Sequence, residues 1–155
     1  MNHEYNLASA IRLATFSPDP VTQTAALIYK DDDLISADFN RFPNGVNEFD
    51  YRWQEDKYFY VEHAERNAIY KAARIGRATL GATMYAPYAA CHDCARSIIQ
   101  AGITTLVHYP FEVPERWQKS IKIGSLMLRE ALVNVIELKP DVGVELRFNG
   151  QKVEI

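Results

Sequence analysis

The sequence predicts an α/β fold: a three-layer sandwich in which a mixed sheet of about five strands carries helices on both faces. Three observations predict it. Short apolar runs alternate with segments of helical spacing, the strand-helix-strand stretch from 82 to 109 has the length of a parallel crossover, and the last eleven-residue segment alternates about Asn149-Gly150 as a hairpin does. Taken in order, Leu7, Ile11 and Ala14 lie at helical spacing between residues 2 and 16, and SPDP at 17–20 stops that helix, because two prolines cannot continue it. TAALIYK at 24–30 and LISADF at 34–39 read as strands joined by a turn at DDD, 31–33. The stretch from Asn40 to Tyr60 is polar and aromatic with Pro43 and Gly45, a long loop with a helical turn inside it, and loops of that length are commonly functional. From about Glu62 to Ile75, Ala64, Ala68, Ala72 and Ile75 form one helical stripe that ends at Gly76, a left-handed terminator. ATMYA (82–86) is a strand, CHDCARSIIQAG (91–102) a helix, TTLVHY (104–109) a strand, 115–131 a helix and VNVIEL (133–138) a strand. No repeat, linker or low-complexity segment divides the chain, so residues 1–155 are expected to be one domain, with a core over about 5–135 and a C-terminal hairpin over 140–155.

Composition excludes several classes. With 48% apolar and 24% charged residues the chain is ordinary globular material, and no apolar run is long enough to span a bilayer. The N-terminus, MNHEYNLASAIRLATF, lacks the basic-then-apolar pattern of a signal peptide, so a cytoplasmic location is expected. A net charge of −3 and a pI near 5.8 offer no broad cationic face to a polyanion, which argues against duplex nucleic acid and leaves room for a small anionic ligand. The two cysteines, Cys91 and Cys94, suit a metal or a redox pair better than a disulfide framework.

Taken alone, that C-x-x-C spacing fits a metal site, a redox pair or two buried structural cysteines equally. The start of a helix favours thiolate over thiol, and positions three apart share a helix face. A zinc site requires a third ligand, and His63 is the candidate: it opens one strand-to-helix unit while the cysteines open the next. His3 sits near the terminus, His92 faces away between the cysteines, and His108 reads as a core residue at a strand end. Within a helix, residues two apart point some ~200° away from each other, so His63 and Glu65 can serve one ion only from a first turn. Ala64 between them is small enough to let another group approach. Zinc held by one neutral imidazole and two thiolates has its charge cancelled, and such a site gains from a base that takes the proton of water; Glu65 is placed for that role. Its alternative is simple charge complementarity with a helix N-terminus, worth ~0.3–1 kcal/mol.

These residues resemble a known family. His63-Ala64-Glu65 followed by Cys91-His92-Asp93-Cys94 is similar to the H-x-E and C-x-x-C signature of the zinc-dependent cytidine deaminase superfamily. HAERNAI (63–69), FNRFPNG (39–45), DPVTQTAALI (19–28) and CARSIIQAGITTLVHY (94–109) look most like deoxycytidylate deaminases, and the resemblance covers roughly residues 5–135. Two departures stand out. The family's Pro before the first Cys is Ala90 here, with Pro87 three positions earlier, and where the family has Gly before and after the loop Asn this chain has Asp38-Phe39 and Arg41 about Asn40. A second zinc of the kind found before H-A-E in some phage members is not expected, since residues 40–62 contain neither Cys nor His.

The resemblance implies Zn2+ on His63, Cys91 and Cys94, Glu65 as proton shuttle, and hydrolytic deamination of a cytosine nucleotide, dCMP to dUMP and ammonia, by a homo-oligomer. It implies that Asn40 hydrogen-bonds the sugar or base, with Ala64 and Arg41 as further substrate contacts; Arg41, Arg52 and Lys57 are the cations available to a phosphate. Rival readings are a deaminase of cytidine, deoxycytidine, guanine or transfer-RNA adenosine, a structural zinc module, and a thiol redox protein.

Overall fold

The structure, a computed structural model, describes residues 1–155. Helix α1 (His3–Ala14) is followed by β1 (Ala25–Lys30), β2 (Asp33–Phe39), a 3-10 turn (Asp50–Trp53), a single helical turn α2 (Lys57–Tyr60), α3 (Ala64–Arg74), β3 (Thr83–Ala86), α4 (His92–Gln100), β4 (Thr105–His108), α5 (Glu115–Glu130), β5 (Asn134–Glu137) and the hairpin β6 (Glu145–Phe148) and β7 (Gln151–Glu154). Five strands form one sheet in the order β2-β1-β3-β4-β5, and the C-terminal hairpin forms a separate two-stranded sheet. The α/β architecture with a mixed five-stranded sheet is the expected one.

Strand direction explains where the site lies. β2 and β3 both run antiparallel to β1 between them, while β3, β4 and β5 are mutually parallel. β1 is therefore the one reversed strand, and β2-α3-β3 is a parallel crossover that passes over it rather than linking neighbours. The loops leaving β2, β3 and β4 all emerge at one edge of the sheet, so α3, α4 and α5 begin there together. In open α/β sheets this carboxyl edge is where ligands bind.

Strand alternation divides the core in two. Ala26, Ile28, Met84 and Leu106 face Ala64, Ala68, Ala72, Cys94 and Ile98 from α3 and α4, with Leu128 of α5 closing that layer. Ala25, Leu27, Tyr85 and Val107 face Leu7, Ile11 and Ala14 of α1 on the other side, joined by Leu146 of β6. Each fully buried Leu or Ile stabilises the fold by roughly 1.5–3 kcal/mol relative to exposure. The expected stripe of α3 is corrected at its end: Ala64, Ala68 and Ala72 are fully buried, but Ile75 is 56% exposed, because the helix has already closed at Arg74 before Gly76 (φ +71°). Its start is also later than expected. Glu62 is extended and exchanges backbone hydrogen bonds with Arg41, leaving His63 as the helix cap. No helix is long and apolar enough to cross a membrane.

The hairpin is tied to the body. Gln23 N–H donates to the Arg147 carbonyl (2.8 Å), Gly150 N–H to the Val21 carbonyl (2.9 Å), and the Arg147 guanidinium to the carbonyls of Asp19 and Ser17. α5 comes equally close to the opposite flank: a Cβ on Gly124 would lie 2.7 Å from the Ala90 carbonyl oxygen and 3.1 Å from the Cys91 carbonyl carbon, so only glycine lets the helix rest on that peptide.

Candidate metal centre and its cavity

The caps of α3 and α4 bring the three expected ligands together. His63 caps α3 in extended geometry and Cys91 caps α4, its sulfur accepting from the Cys94 N–H at 3.5 Å. His63 Nδ1 lies 3.5 Å from Cys91 Sγ and 3.5 Å from Cys94 Sγ, and the three ligand atoms lie within 4.8 Å of one another. Tetrahedral zinc bonds of about 2.0–2.1 Å to nitrogen and 2.3 Å to sulfur separate N and S by about 3.6 Å, which matches both N–S distances here, so the set fits Zn2+. Three protein ligands, rather than four, are the number found where one position is kept for water or substrate.

The electrostatics of the cluster suit a cation. Hydrogen bonding from Cys94 holds the Cys91 thiol down to about 4 against its own burial, with His63 adding to the effect. Cys94 is pushed the other way, because it is the donor to Cys91 and is itself buried. Burial pulls His63 down, but the hydrogen bond to Cys91 and the Glu65 charge outweigh it and its net shift is upward. Glu65 is 6% exposed, and burial raises its carboxyl above the usual range while His63 opposes the shift. Its Oε2 accepts from Cys94 Sγ at 3.5 Å. Glu65 therefore stands in the first turn of α3 beside the ligand set, in the low-dielectric surroundings that tune a carboxyl for proton transfer.

His63, Glu65 and Cys91 line the floor of a cavity at the sheet edge, and Cys94 completes that floor from a fully buried position against His63 and Glu65. One wall is aromatic: Tyr88 stacks on Phe148 at 4.8 Å and tilts against Phe111 at 4.9 Å, while Trp117 of α5 presents its edge to His63 at 6.1 Å. The opposite wall is a polar knot. Asp19 is 2% exposed and accepts from Lys57 Nζ (2.8 Å), the N–H groups of Val21 and Thr22, and Asn40 Nδ2 (3.1 Å).

The expected substrate residues fare differently. Asn40 lines the cavity, but its amide donates to Asp19 and to the Thr22 carbonyl and its Oδ1 accepts from Thr24 N–H, so its donors are occupied within the protein. Arg41 does not line the cavity; its guanidinium grips both oxygens of Asp38 at 3.0 and 2.9 Å and also reaches Asn44. Ala64 is fully buried with the α3 stripe. Arg52 is enclosed by Phe49, Tyr51 and Tyr60, and Lys57 lines the cavity with its charge held by Asp19. Arg116 is the lining cation with no carboxylate partner, its Nη1 donating to Tyr58 Oη at 3.1 Å. Sequence reasoning missed Asp19, Tyr88, Phe111, Arg116, Trp117 and Phe148, which meet only through tertiary contacts; the sole local hint was Phe148 beside the Asn149-Gly150 turn.

Residues 1–109 match the model of the cytidine and deoxycytidylate deaminase zinc-binding region. A deaminase from the luxG 3′ region of Aliivibrio fischeri is 34% identical over 84% of this chain and 88% of its own length. Human deoxycytidylate deaminase is 34% identical over 67% of this chain, which spans 62% of that enzyme. In three dimensions, the dCMP deaminase of cyanophage S-TIM5, solved in complex with dCMP and dUMP, superposes with a TM-score of 0.72 over 87% of this chain and 95% of its own, at 22% identity, a likeness of fold. Phe111, Arg116, Trp117 and Phe148 lie beyond the region that the family model matches.

Proposed function

Because the chain belongs to the cytidine and deoxycytidylate deaminase family of zinc-dependent hydrolases, we propose that it converts deoxycytidylate to deoxyuridylate, replacing the C4 amino group of cytosine by oxygen from water with release of ammonia. The observation that carries the reading is the convergence of His63, Cys91 and Cys94 with the buried carboxyl of Glu65 at the floor of one cavity, which His63, Glu65 and Cys91 line. When bound by these three ligands, zinc supplies a Lewis acid that makes water a nucleophile at neutral pH.

Glu65 takes one proton from water and passes it to N3, then takes the second from the oxygen added at C4 and passes it to the departing amine, a shuttle that its raised affinity for protons favours. Trp117, Tyr88 and Phe111 offer flat apolar surfaces to the base and exclude bulk water from the reacting edge. Arg116 is the residue of choice for the phosphate, since it reaches the cavity without a carboxylate to neutralise it, whereas Arg41 and Lys57 already have such partners. A cytoplasmic homo-oligomer belongs to the same reading, its assembly supported by the aromatic surface of the long loop, where Tyr51, Tyr58 and Phe59 are 61%, 56% and 88% exposed.

The test is ammonia release by the zinc-loaded protein from dCMP, deoxycytidine, cytidine, cytosine and guanine. Turnover highest with dCMP, and reduced when the phosphate is missing, is the expected result. Equal or better turnover of a nucleoside or a free base would overturn the nucleotide assignment, and failure to release ammonia from any of them would overturn the deaminase itself.

A further inference from the structure

Three buried side-chain polar atoms have no hydrogen-bond partner: Thr24 Oγ1, Tyr88 Oη and Arg52 Nε. Two of the three belong to residues that line the cavity above His63 and Glu65. Buried hydroxyls are almost always paired, and leaving one unpaired is destabilising, so two at one cavity require a reason.

Topology brings them to the same end of adjacent strands. β1 pairs with β3 through Leu27 and Tyr85, Ile28 and Met84, and Tyr29 and Thr83. Leu27 and Tyr85 are the outermost of these pairs, and three residues beyond them on each strand come Thr24 and Tyr88, at the mouth of the sheet. Both residues are anchored. Thr24 N–H is held by Asn40 Oδ1 at 2.9 Å, and the Tyr88 ring packs against both Phe148 and Phe111, which also touch each other. Each hydroxyl is thus positioned by rigid surroundings and left without a partner, as expected of a group whose partner arrives with the ligand.

We infer that Thr24 and Tyr88 hydrogen-bond the sugar hydroxyl of the nucleotide, an assignment that rests on the deoxycytidylate reading above. The amino edge of the base must face Glu65, and the phosphate is assigned to Arg116, which leaves the C2 carbonyl of the base and the sugar hydroxyl; the carbonyl only accepts, whereas the hydroxyl can both accept and donate. Asn40 has no free donor for it. A sugar hydroxyl both accepts and donates, so it can accept from the phenol, the better donor of the pair, and donate to threonine. Burial raises the Tyr88 phenol well above its ordinary range, which keeps it protonated as a donor.

The experiment compares dCMP with 2′,3′-dideoxycytidylate, which lacks that hydroxyl, on the zinc-loaded wild type, Thr24→Val and Tyr88→Phe. Each substitution is expected to lower kcat/KM for dCMP by about three- to tenfold, the worth of one neutral hydrogen bond, and to leave the dideoxy substrate unaffected. Zinc content should be unchanged, and the melting temperature of ligand-free Tyr88→Phe should hold or rise, since it loses an unpaired group. Equal losses on both substrates, or none on either, would overturn the sugar contact, and so would a fall in the melting temperature of ligand-free Tyr88→Phe. A wild type that binds zinc and releases ammonia from no cytosine nucleotide would instead fell the substrate assignment, and the contact with it.

Discussion

The floor of the cavity and its aromatic wall are built by different means. His63, Glu65, Cys91 and Cys94 come from two helix starts, and their geometry follows from local backbone: a cap, a first turn and a three-residue spacing. The wall draws Tyr88 from the loop after β3, Phe111 from the loop after β4, Trp117 from α5 and Phe148 from the terminal hairpin, none of which contacts another through local structure. The floor lies within the stretch that the family model matches, and most of the wall lies beyond it. Ligands placed by short local motifs are thus combined with an aromatic wall assembled by tertiary contacts, because the sheet edge brings both to one place.

That contrast can be broken or sharpened by substitution. The largest effect is expected at the floor: Cys94→Ala removes a ligand from a fully buried position, so zinc measured by atomic absorption should fall from one per chain toward zero and activity should vanish, with loss of stability because metal binding and folding are coupled. Full zinc occupancy in that variant would show the ligand set to be wrong. Glu65→Gln comes next. It keeps the ligands and the shape, so zinc and melting temperature should hold while kcat drops by about 10²–10⁴-fold, the usual worth of a general acid-base group; kcat within a factor of three of wild type would remove its proton-transfer role.

The wall should respond more mildly and in the other kinetic constant. Phe148→Ala opens the stack on Tyr88, and KM for dCMP is expected to rise by about tenfold, some 1.4 kcal/mol, with zinc content unaltered; a loss confined to kcat would mean that the hairpin serves the chemistry rather than binding. The smallest change in turnover is expected for Arg41→Gln, because its guanidinium is already committed to Asp38. Steady-state kcat/KM should stay within about threefold, while stability falls as the buried Asp38 loses its partner, by about 1–3 kcal/mol. A large rise in KM there would restore Arg41 as a substrate contact.

Legibility in the sequence follows the same division. The α/β class, the element order and the four residues of the floor were readable because helix starts, glycine stops and strand alternation are local signals. Ile75 was misassigned because helical periodicity alone does not reveal where a helix unwinds, and Glu62 because its extended pairing with Arg41 joins residues far apart in the chain. Asn40 looked available because its occupation by Asp19 and Thr22 depends on how the loop after α1 folds against the end of β2. For Arg41 a hint did exist, since an acid three residues earlier is a ready partner in a tight turn. Tyr88 and Phe148 are 60 positions apart and carry no periodic mark, so only their assembly shows them as one surface.

The anchoring of the C-terminal hairpin has a consequence for the order in which the protein matures. Translation delivers the amino-terminal portion first, and Phe148 is polymerised well after His63, Cys91 and Cys94. A nascent chain in which residues 145–154 still occupy the ribosomal exit tunnel could gather its imidazole and sulfurs while one side of the cavity stood open to solvent. Emergence of residues 145–154, which lets them fold back onto Val21 and Gln23, is then the event that closes it.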